Sequence, residues 1–489
     1  MSGHGERSPD AELGLLDATM IGMGAMIGAG IFVLTGLAAE TAGRSALLVF
    51  ALNGVVTTFT ALSYAELASS VPRSGGGYAY VNEVFGDLVS FLMGWMLWFA
   101  YMIAGALYAL GFAPNLVELL HVYFTGTVPP PEQLAATTLT GLALLAVVGL
   151  VVLNALSTAA SGGAETAFTL VKVAILVVFV AFGVVSTRFS TAELQPLFPG
   201  TETAVNLLPA MGLTFIAFEG YDLIATVTEE VENPRKNIPQ AIFISLAVTV
   251  VVYLAVVTVA IGTLGATELG RAGETGIAEA AVSFMPTLPV VGGGEALVIF
   301  GAVFSTLTAL NAVVIASSRV AFAMGRDGRL LPRFGQLHHR FGTPAVAILA
   351  SGLVMLLSVR FIPIRQVGNL SSLFFLLSFV VVNASAIRLR REKPDLARPF
   401  EMPLYPLPPL AGIVLNVLLG VYISPRTWAL GAVWLALGVV VHLSLERFKR
   451  GRETESAPDE SAPQGDGTDA DGGAPGTRPD VEVPPGERD

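Results

Sequence analysis

The chain alternates long apolar stretches with short polar ones over most of its length. Twelve apolar runs can be read, near 14–37, 44–69, 86–119, 133–157, 163–187, 204–228, 238–263, 293–323, 344–361, 367–389, 407–424 and 427–445. A hydrocarbon core about 30 Å thick needs roughly 20 apolar helical residues. Inside lipid the backbone has no water to bond, so a spanning segment of this kind is a helix. The pattern predicts an all-α membrane protein with twelve transmembrane helices. The third and eighth runs are long enough to tilt or to extend past the bilayer. Pro406, Pro408 and Pro409 crowd the start of the eleventh run, and Pro425 marks the turn before the twelfth.

Two runs interrupt their own pattern. The first reads Gly22-Met23-Gly24-Ala25-Met26-Ile27-Gly28-Ala29-Gly30-Ile31-Phe32, with four glycines in nine residues, a poor composition for a continuous helix. The sixth reads Phe215-Ile216-Ala217-Phe218-Glu219-Gly220-Tyr221-Asp222 and puts two carboxylates and a glycine at membrane depth. The glycines have a second reading, because Gly24 and Gly28 form a GxxxG spacing that lets transmembrane helices pack closely. The carboxylates are harder to set aside, since charge at this depth is costly and faces a cavity or a partner. For Asp222 a structural hydrogen-bonding role and a functional one both stand, whereas the deeper Glu219 reads as functional. The two interruptions fall in runs one and six, so each opens a block of five. Corresponding interruptions in two halves point to a transporter binding site. Unwinding frees N–H and C=O groups near the midplane. Half-helix N-termini suit a carboxylate, freed carbonyls suit an ammonium, and a zwitterion satisfies both.

At these residues the chain resembles the amino acid–polyamine–organocation (APC) superfamily, close to its cationic amino acid transporter-like branch. The resemblance runs from about residue 12 to at least 400 and rests on four motifs in order. They are Gly24 to Phe32; Pro72-Arg73-Ser74-Gly75-Gly76-Gly77-Tyr78; Gly220-Tyr221-Asp222 followed by Glu229-Glu230-Val231-Glu232-Asn233-Pro234-Arg235-Lys236-Asn237-Ile238-Pro239; and Ser318-Arg319 with Arg326-Asp327-Gly328. The resemblance implies a LeuT-type five-plus-five inverted repeat with broken helices one and six, two further helices, and α-amino acid substrates. By position it places the substrate carboxylate against the amides of Ile27, Gly28, Ala29, Gly30 and Ile31, and the amine against carbonyls around Ile216, Ala217, Phe218 and Glu219, next to Gly220. Phe218 then reads as an aromatic gate or as core packing. Glu219 departs from the family pattern, where an apolar residue is usual, and is read as facing the substrate side chain or handling a proton.

Composition supports the membrane reading. Of 489 residues 53% are hydrophobic and 13% charged, about half the charge of a soluble domain. There is no cysteine, which excludes disulfides, thiolate metal sites and thiol nucleophiles. Most of the net charge of −11 sits at one end: residues 451–489 hold eleven acids and three arginines, leaving −3 for residues 1–450. That end, rich in Pro, Gly and Asp, is expected to be disordered. The polar, mixed-charge residues 1–12 and the long first run do not read as a cleavable signal peptide. With the N-terminus inside, eighteen Lys and Arg fall on the cytoplasmic side and six on the other. This bias predicts both termini in the cytoplasm of a multi-pass plasma-membrane protein. The expected organisation is a cytoplasmic segment 1–13, an inverted-repeat core 14–400, spans eleven and twelve in 401–446, and the acidic tail 447–489.

Lys172, in Phe168-Thr169-Leu170-Val171-Lys172-Val173-Ala174, is the lone Lys or Arg well inside a run. Snorkelling, a structural ammonium and coupling are the three readings. The resemblance adds that a Lys here occupies the region of a sodium site in sodium-coupled relatives, so it serves as a proton-coupling group or a permanent substitute for sodium. In the charged segments 229–240 and 319–343, Arg319, Arg326 and Asp327 read either as partners of Glu229, Glu230 or Glu232 in an inner gate, or as solvated charge.

Other classes lack their signatures. A channel needs a filter repeated by symmetry, an enzyme a motif such as HExxH or GxSxG, and a pump a nucleotide loop. His338 and His339 lack further ligands at useful spacing. No cofactor, metal or nucleic acid is expected; the expected partners are a small-molecule amino acid and the lipid bilayer. The reading is a secondary active amino acid transporter. The alternatives are a polyamine or organic amine exchanger, or a sensor of the same fold that binds without transporting.

Overall fold

The computed structural model describes residues 13–73, 75–125, 136–156, 162–197, 201–288 and 292–456. The acidic segment 457–489, residues 1–12 and Ser74 of the second motif lie outside the described residues. The first five apolar runs form α1 (Leu15–Met26) and α2 (Ala29–Ala42), then α3 (Ala46–Ser70) and, after the short α4 (Gly76–Asn82) between runs two and three, α5 (Asp87–Thr125), α6 (Ala136–Leu156) and α7 (Gly162–Val185). The sixth run is divided into α8 (Thr201–Thr214), a 3-10 turn Phe215–Phe218, the single turn α9 (Tyr221–Ile224) and a second 3-10 segment Ala225–Glu230. There follow α10 (Pro234–Leu264), the loop helices α11 (Ala266–Ala272) and α12 (Gly276–Phe284), α13 (Gly294–Arg326), α14 (Ala345–Phe361), α15 (Ile364–Glu392), α16 (Leu407–Val421) and α17 (Pro425–Ser456). Two-residue strands, Thr287–Leu288 and Gly292–Gly293, pair antiparallel before α13.

Each apolar run read from the sequence contains helix among the described residues. Among the described residues nine helical stretches are long and apolar enough to cross a membrane, and the first of these, Leu15–Ser70, contains α1, α2 and α3 together. α14 and α16 are shorter apolar helices. The third and eighth runs extend beyond their expected ends, to Thr125 and Arg326. Local chemistry sets several starts: Pro234 and Pro425 open α10 and α17, where the missing N–H costs nothing because first-turn amides have no intrahelical acceptor.

The helices are not equally central. In the most apolar window of Leu15–Ser70, 94% of residues are buried, against 22% in α6 and 17% in α17. α5 packs along α13 and α15, while α10 packs against α1 and α3. The two interrupted runs are thus enclosed by neighbouring helices, where side chains can reach their freed backbone groups. Residues 446–489 are set apart as a second unit, of which the described part, 446–456, is helical.

Candidate functional site

The first interruption is two residues long. Ile27 turns out of the helix (φ −76°, ψ 61°) and Gly28 follows in an extended conformation (φ −112°, ψ −136°). The Gly28 amide bonds the Met26 carbonyl at 2.7 Å, so the carbonyl of Gly24, its ordinary helical acceptor, is released. Lys172 of α7 takes that carbonyl: its Nζ donates to Gly24 O at 2.8 Å and to Thr308 Oγ1 of α13 at 2.9 Å. Lys172 is fully buried, which rules out the snorkelling reading. Ser305 Oγ, one turn before Thr308, donates to Ile27 O at 2.6 Å. The carbonyls of Gly24 and Ile27 therefore meet donors from neighbouring helices, as the absence of water requires.

On the far side of the break α2 begins, and the amides of its first turn have no intrahelical acceptor. Ala29, Gly30 and Ile31 supply them. The expected set of five amides is narrower in the structure. Ile27 N–H donates to Met23 O and Gly28 N–H to Met26 O, each at 2.7 Å, because the chain keeps one more helical bond and then a tight turn. Gly28 also lies against Ala309 of α13, so close packing and the break share this residue.

The second interruption is longer and differently held. Glu219 is extended (ψ 150°) and Gly220 takes φ 134°, ψ −31°. This conformation suits glycine alone. Asp222 stabilises the turn: its Oδ1 accepts the Gly220 amide at 2.9 Å and its Oδ2 accepts the Tyr101 hydroxyl of α5. Asp222 thus has the hydrogen-bonding surroundings of a structural residue. On the approach, the Ile216 amide donates to Ser372 Oγ of α15 at 3.1 Å. Glu219 is 4% exposed, and neither of its carboxyl oxygens has a hydrogen-bond partner among the described residues. The buried hydroxyls of Tyr64 and Tyr221 are likewise without one among the described residues.

The two interruptions touch. A Cβ on Gly220 would lie 2.7 Å from the Met26 nitrogen, and a Cβ on Gly30 would lie 2.8 Å from the Cα of Ala217. One residue of α10 joins them: the buried Tyr253 places its hydroxyl against the Met26 carbonyl and 3.0 Å from the Ala217 carbonyl. Its ring packs edge-on against Phe50 and Phe218, with centroids 5.7 and 5.3 Å apart. Phe218, 1% exposed, is therefore packed in the core in this structure. The arrangement offers amides at the start of α2 and carbonyls at the end of the Phe215–Phe218 turn, side by side.

Sequence reading missed Tyr253, Ser305, Thr308 and Tyr101. A signal existed for each. A phenol or hydroxyl in the middle of an apolar run, as in Val251-Val252-Tyr253-Leu254, needs a buried partner. Of the expected cytoplasmic pairs, Arg319 meets Glu230 at 3.2 Å, with side chains 38% and 50% exposed, which makes the pair a weak one. Asp327 instead accepts the Tyr78 hydroxyl at 2.8 Å. A stronger pair was not anticipated: Glu66 of α3, 3% exposed, receives two bonds from Arg390 of α15, at 2.6 and 2.5 Å, and one from the Met402 amide.

Residues 13–441 match the family described as amino acid permease. The branched-chain amino acid permease BcaP of Bacillus subtilis is 30% identical over 453 residues, 91% of this chain and 94% of its own. The methylthioribose transporter of the same organism is 31% identical, covering 89% of this chain and 93% of its own. The cystine/glutamate transporter of Pongo abelii is 31% identical, covering 87% and 83%. With its apolar helices, the chain is a multi-pass membrane transporter and not an enzyme. It belongs to the amino acid permease family of the APC superfamily.

Proposed function

We propose that this protein carries α-amino acids across the cytoplasmic membrane by alternating access, as a proton-coupled secondary transporter. The observation that carries the reading is the contact between two helix interruptions, which sets first-turn amides of α2, without intrahelical acceptors, beside carbonyls of Phe215–Phe218. Amides at a helix N-terminus favour a carboxylate. Carbonyls favour an ammonium, which carries three donors. On this reading Ala29, Gly30 and Ile31 hold the carboxylate, with Ile27 and Gly28 shaping the turn. Ile216, Ala217, Phe218 and Glu219 surround the amine, and Gly220 gives the bend. Phe218 closes over the site, Asp222 fixes the turn, and Arg319 belongs to the inner gate.

The wider architecture proposed is twelve spans in a LeuT-type five-plus-five inverted repeat, with residues 14–400 as core, 401–446 as spans eleven and twelve, and both termini cytoplasmic. The two interruptions, one in the first run and one in the sixth, support it. Lys172 is the proposed coupling group. Its ammonium ties α7 to the first interruption through Gly24 and to α13 through Thr308, so gain or loss of its proton acts on the binding site directly. Uptake into proteoliposomes under an imposed pH gradient tests this. Wild type should respond to the gradient and Lys172→Ala should not; a full response in the variant removes the coupling role. Binding of amino acids without flux in wild type identifies a sensor.

One observation favours a second substrate class. Both carboxyl oxygens of Glu219 lack a partner among the described residues while the side chain is buried, which suits a cationic amino acid or other amine. Glu219→Gln separates the cases: it should weaken cationic substrates and spare neutral ones. Equal binding of both classes before and after the change excludes the side-chain role.

A further inference from the structure

We infer that Tyr253 is a specificity-determining positioning residue that fixes the distance between the carboxylate and ammonium halves of the site, and so selects α- over β-amino acids. The inference rests on the zwitterion reading above and adds a residue of α10 to it. Tyr253 is fully buried, and its hydroxyl is within bonding reach of one carbonyl from each interruption, Met26 and Ala217. It also stands 3.0 Å from where a Cβ of Gly30 would be, against the first turn of α2. The hydroxyl is thus at the seam where the two half-sites meet.

The two carbonyls differ in what else holds them. Met26 O also accepts the Gly28 amide at 2.7 Å. For Ala217 O, the ordinary helical donor would be the Tyr221 amide, but the chain turns at Glu219 and Gly220, and Tyr253 is its donor among the described residues. A phenol has one proton to donate, so it serves one of these carbonyls at a time. An incoming ammonium has donors to spare and can take the Ala217 carbonyl, freeing the phenol for Met26. The hydroxyl reaches a carbonyl on each side of the seam, so its loss removes that bridge between Met26 and Ala217. The ring packs edge-on against Phe50 and Phe218, so ring packing positions the hydroxyl at the seam. A fixed seam of this kind distinguishes ligands by the separation of their charged ends. One added methylene between amine and carboxylate changes that separation while leaving both charges in place.

The test is Tyr253→Phe, which keeps the ring and its packing and removes the hydroxyl. Purified full-length protein is assayed by competition binding with the pairs L-alanine and β-alanine, L-leucine and β-leucine, and L-lysine and β-lysine. Each pair whose α form binds wild type is scored as the ratio of β to α dissociation constants. The expected result is a ratio reduced about tenfold, the effect of one lost buried hydrogen bond on discrimination. A folded Tyr253→Phe protein with an unchanged ratio overturns the inference, even if both affinities fall, since a purely structural role weakens both forms together. Phe50→Leu provides a second variant that keeps the hydroxyl but loosens its clamp. It should lower the ratio by a smaller factor, and an unchanged ratio there together with failure of Tyr253→Phe to fold also overturns the inference. Wild type that binds no α-amino acid in any pair contradicts the zwitterion reading itself, which is a different result from binding with an unaltered ratio.

Discussion

The two helix interruptions meet at one place but are built in opposite ways. The first is two residues long and is anchored from outside: Lys172 on Gly24, Ser305 on Ile27 and Tyr253 on Met26 come from three different helices. The second lies between a 3-10 turn and the single α-turn α9 and is held largely by its own Asp222, with help from Tyr101 and Ser372. The carbonyls of Gly24, Met26 and Ile27 at the first have protein donors, whereas the second keeps a buried carboxylate, Glu219, with no hydrogen-bond partner among the described residues. The comparison separates two tasks. An interruption tied to its neighbours at three carbonyls has a fixed shape and can transmit a change at those neighbours. One that carries its own cap and an unpaired acid can vary in chemistry without losing its turn. On the proposed reading the first holds the substrate carboxylate, and the second holds the amine while its unpaired acid can meet a side chain.

Four substitutions sharpen this contrast. The largest effect is expected at the contact itself. Gly220→Ala forces a side chain into φ 134° and places its Cβ 2.7 Å from the Met26 nitrogen. Backbone strain of about 1–3 kcal/mol adds to displacement of the first interruption, so uptake in proteoliposomes should fall below detection. Near-normal uptake would mean that the two interruptions need not touch. Next is Lys172→Met, which leaves Gly24 O and Thr308 without their buried donor. Loss of a charge-assisted bond costs roughly 1.5–3 kcal/mol, and transport should drop by roughly 10–100-fold, with an intact fold by size-exclusion chromatography. Retained transport would show that the first interruption does not depend on its anchor.

The reason the sequence exposed some of this and hid the rest is physical. A run of apolar residues long enough to span lipid has one backbone solution, so the helices were legible from hydropathy alone. Glycine density marked the first interruption, and carboxylates at membrane depth marked the second. What remained hidden was long-range: Tyr253 is 227 positions from Met26, and Thr308 is 136 from Lys172. Periodicity does not say which face of α10 or α13 turns toward another helix. The expected amide set of Ile27 to Ile31 was too wide for a related reason. Composition located the weak point of the helix but not the turn at Ile27 and Gly28 that consumes their own amides. The Glu66–Arg390 pair joins residues 324 apart, and neither one is distinctive in its own run.

Smaller effects are expected at the second interruption. Asp222→Asn keeps the size of the side chain but exchanges one acceptor for a donor facing the Tyr101 hydroxyl. It should destabilise the protein by about 1–3 kcal/mol, seen as a lower melting temperature, with substrate preference unchanged. A shift in preference without loss of stability would move Asp222 from the turn to the substrate. The smallest change is Glu219→Gln, which removes charge from a group that bonds no described residue. Stability should remain near wild type, and affinity for cationic substrates should fall about tenfold relative to neutral ones. If instead the protein unfolds, Glu219 has a structural partner and the division between the two interruptions fails.

The central claim is that both charged ends of an α-amino acid are held where the interruptions meet. It is tested most directly by competition for uptake in wild-type proteoliposomes. A transported amino acid is compared with its carboxyl amide, its decarboxylated amine and its α-keto acid, all with the same side chain. The account predicts that the parent amino acid competes and that blocking or removing either end abolishes competition. Competition by the amine or by the keto acid as strong as that of the parent would contradict it.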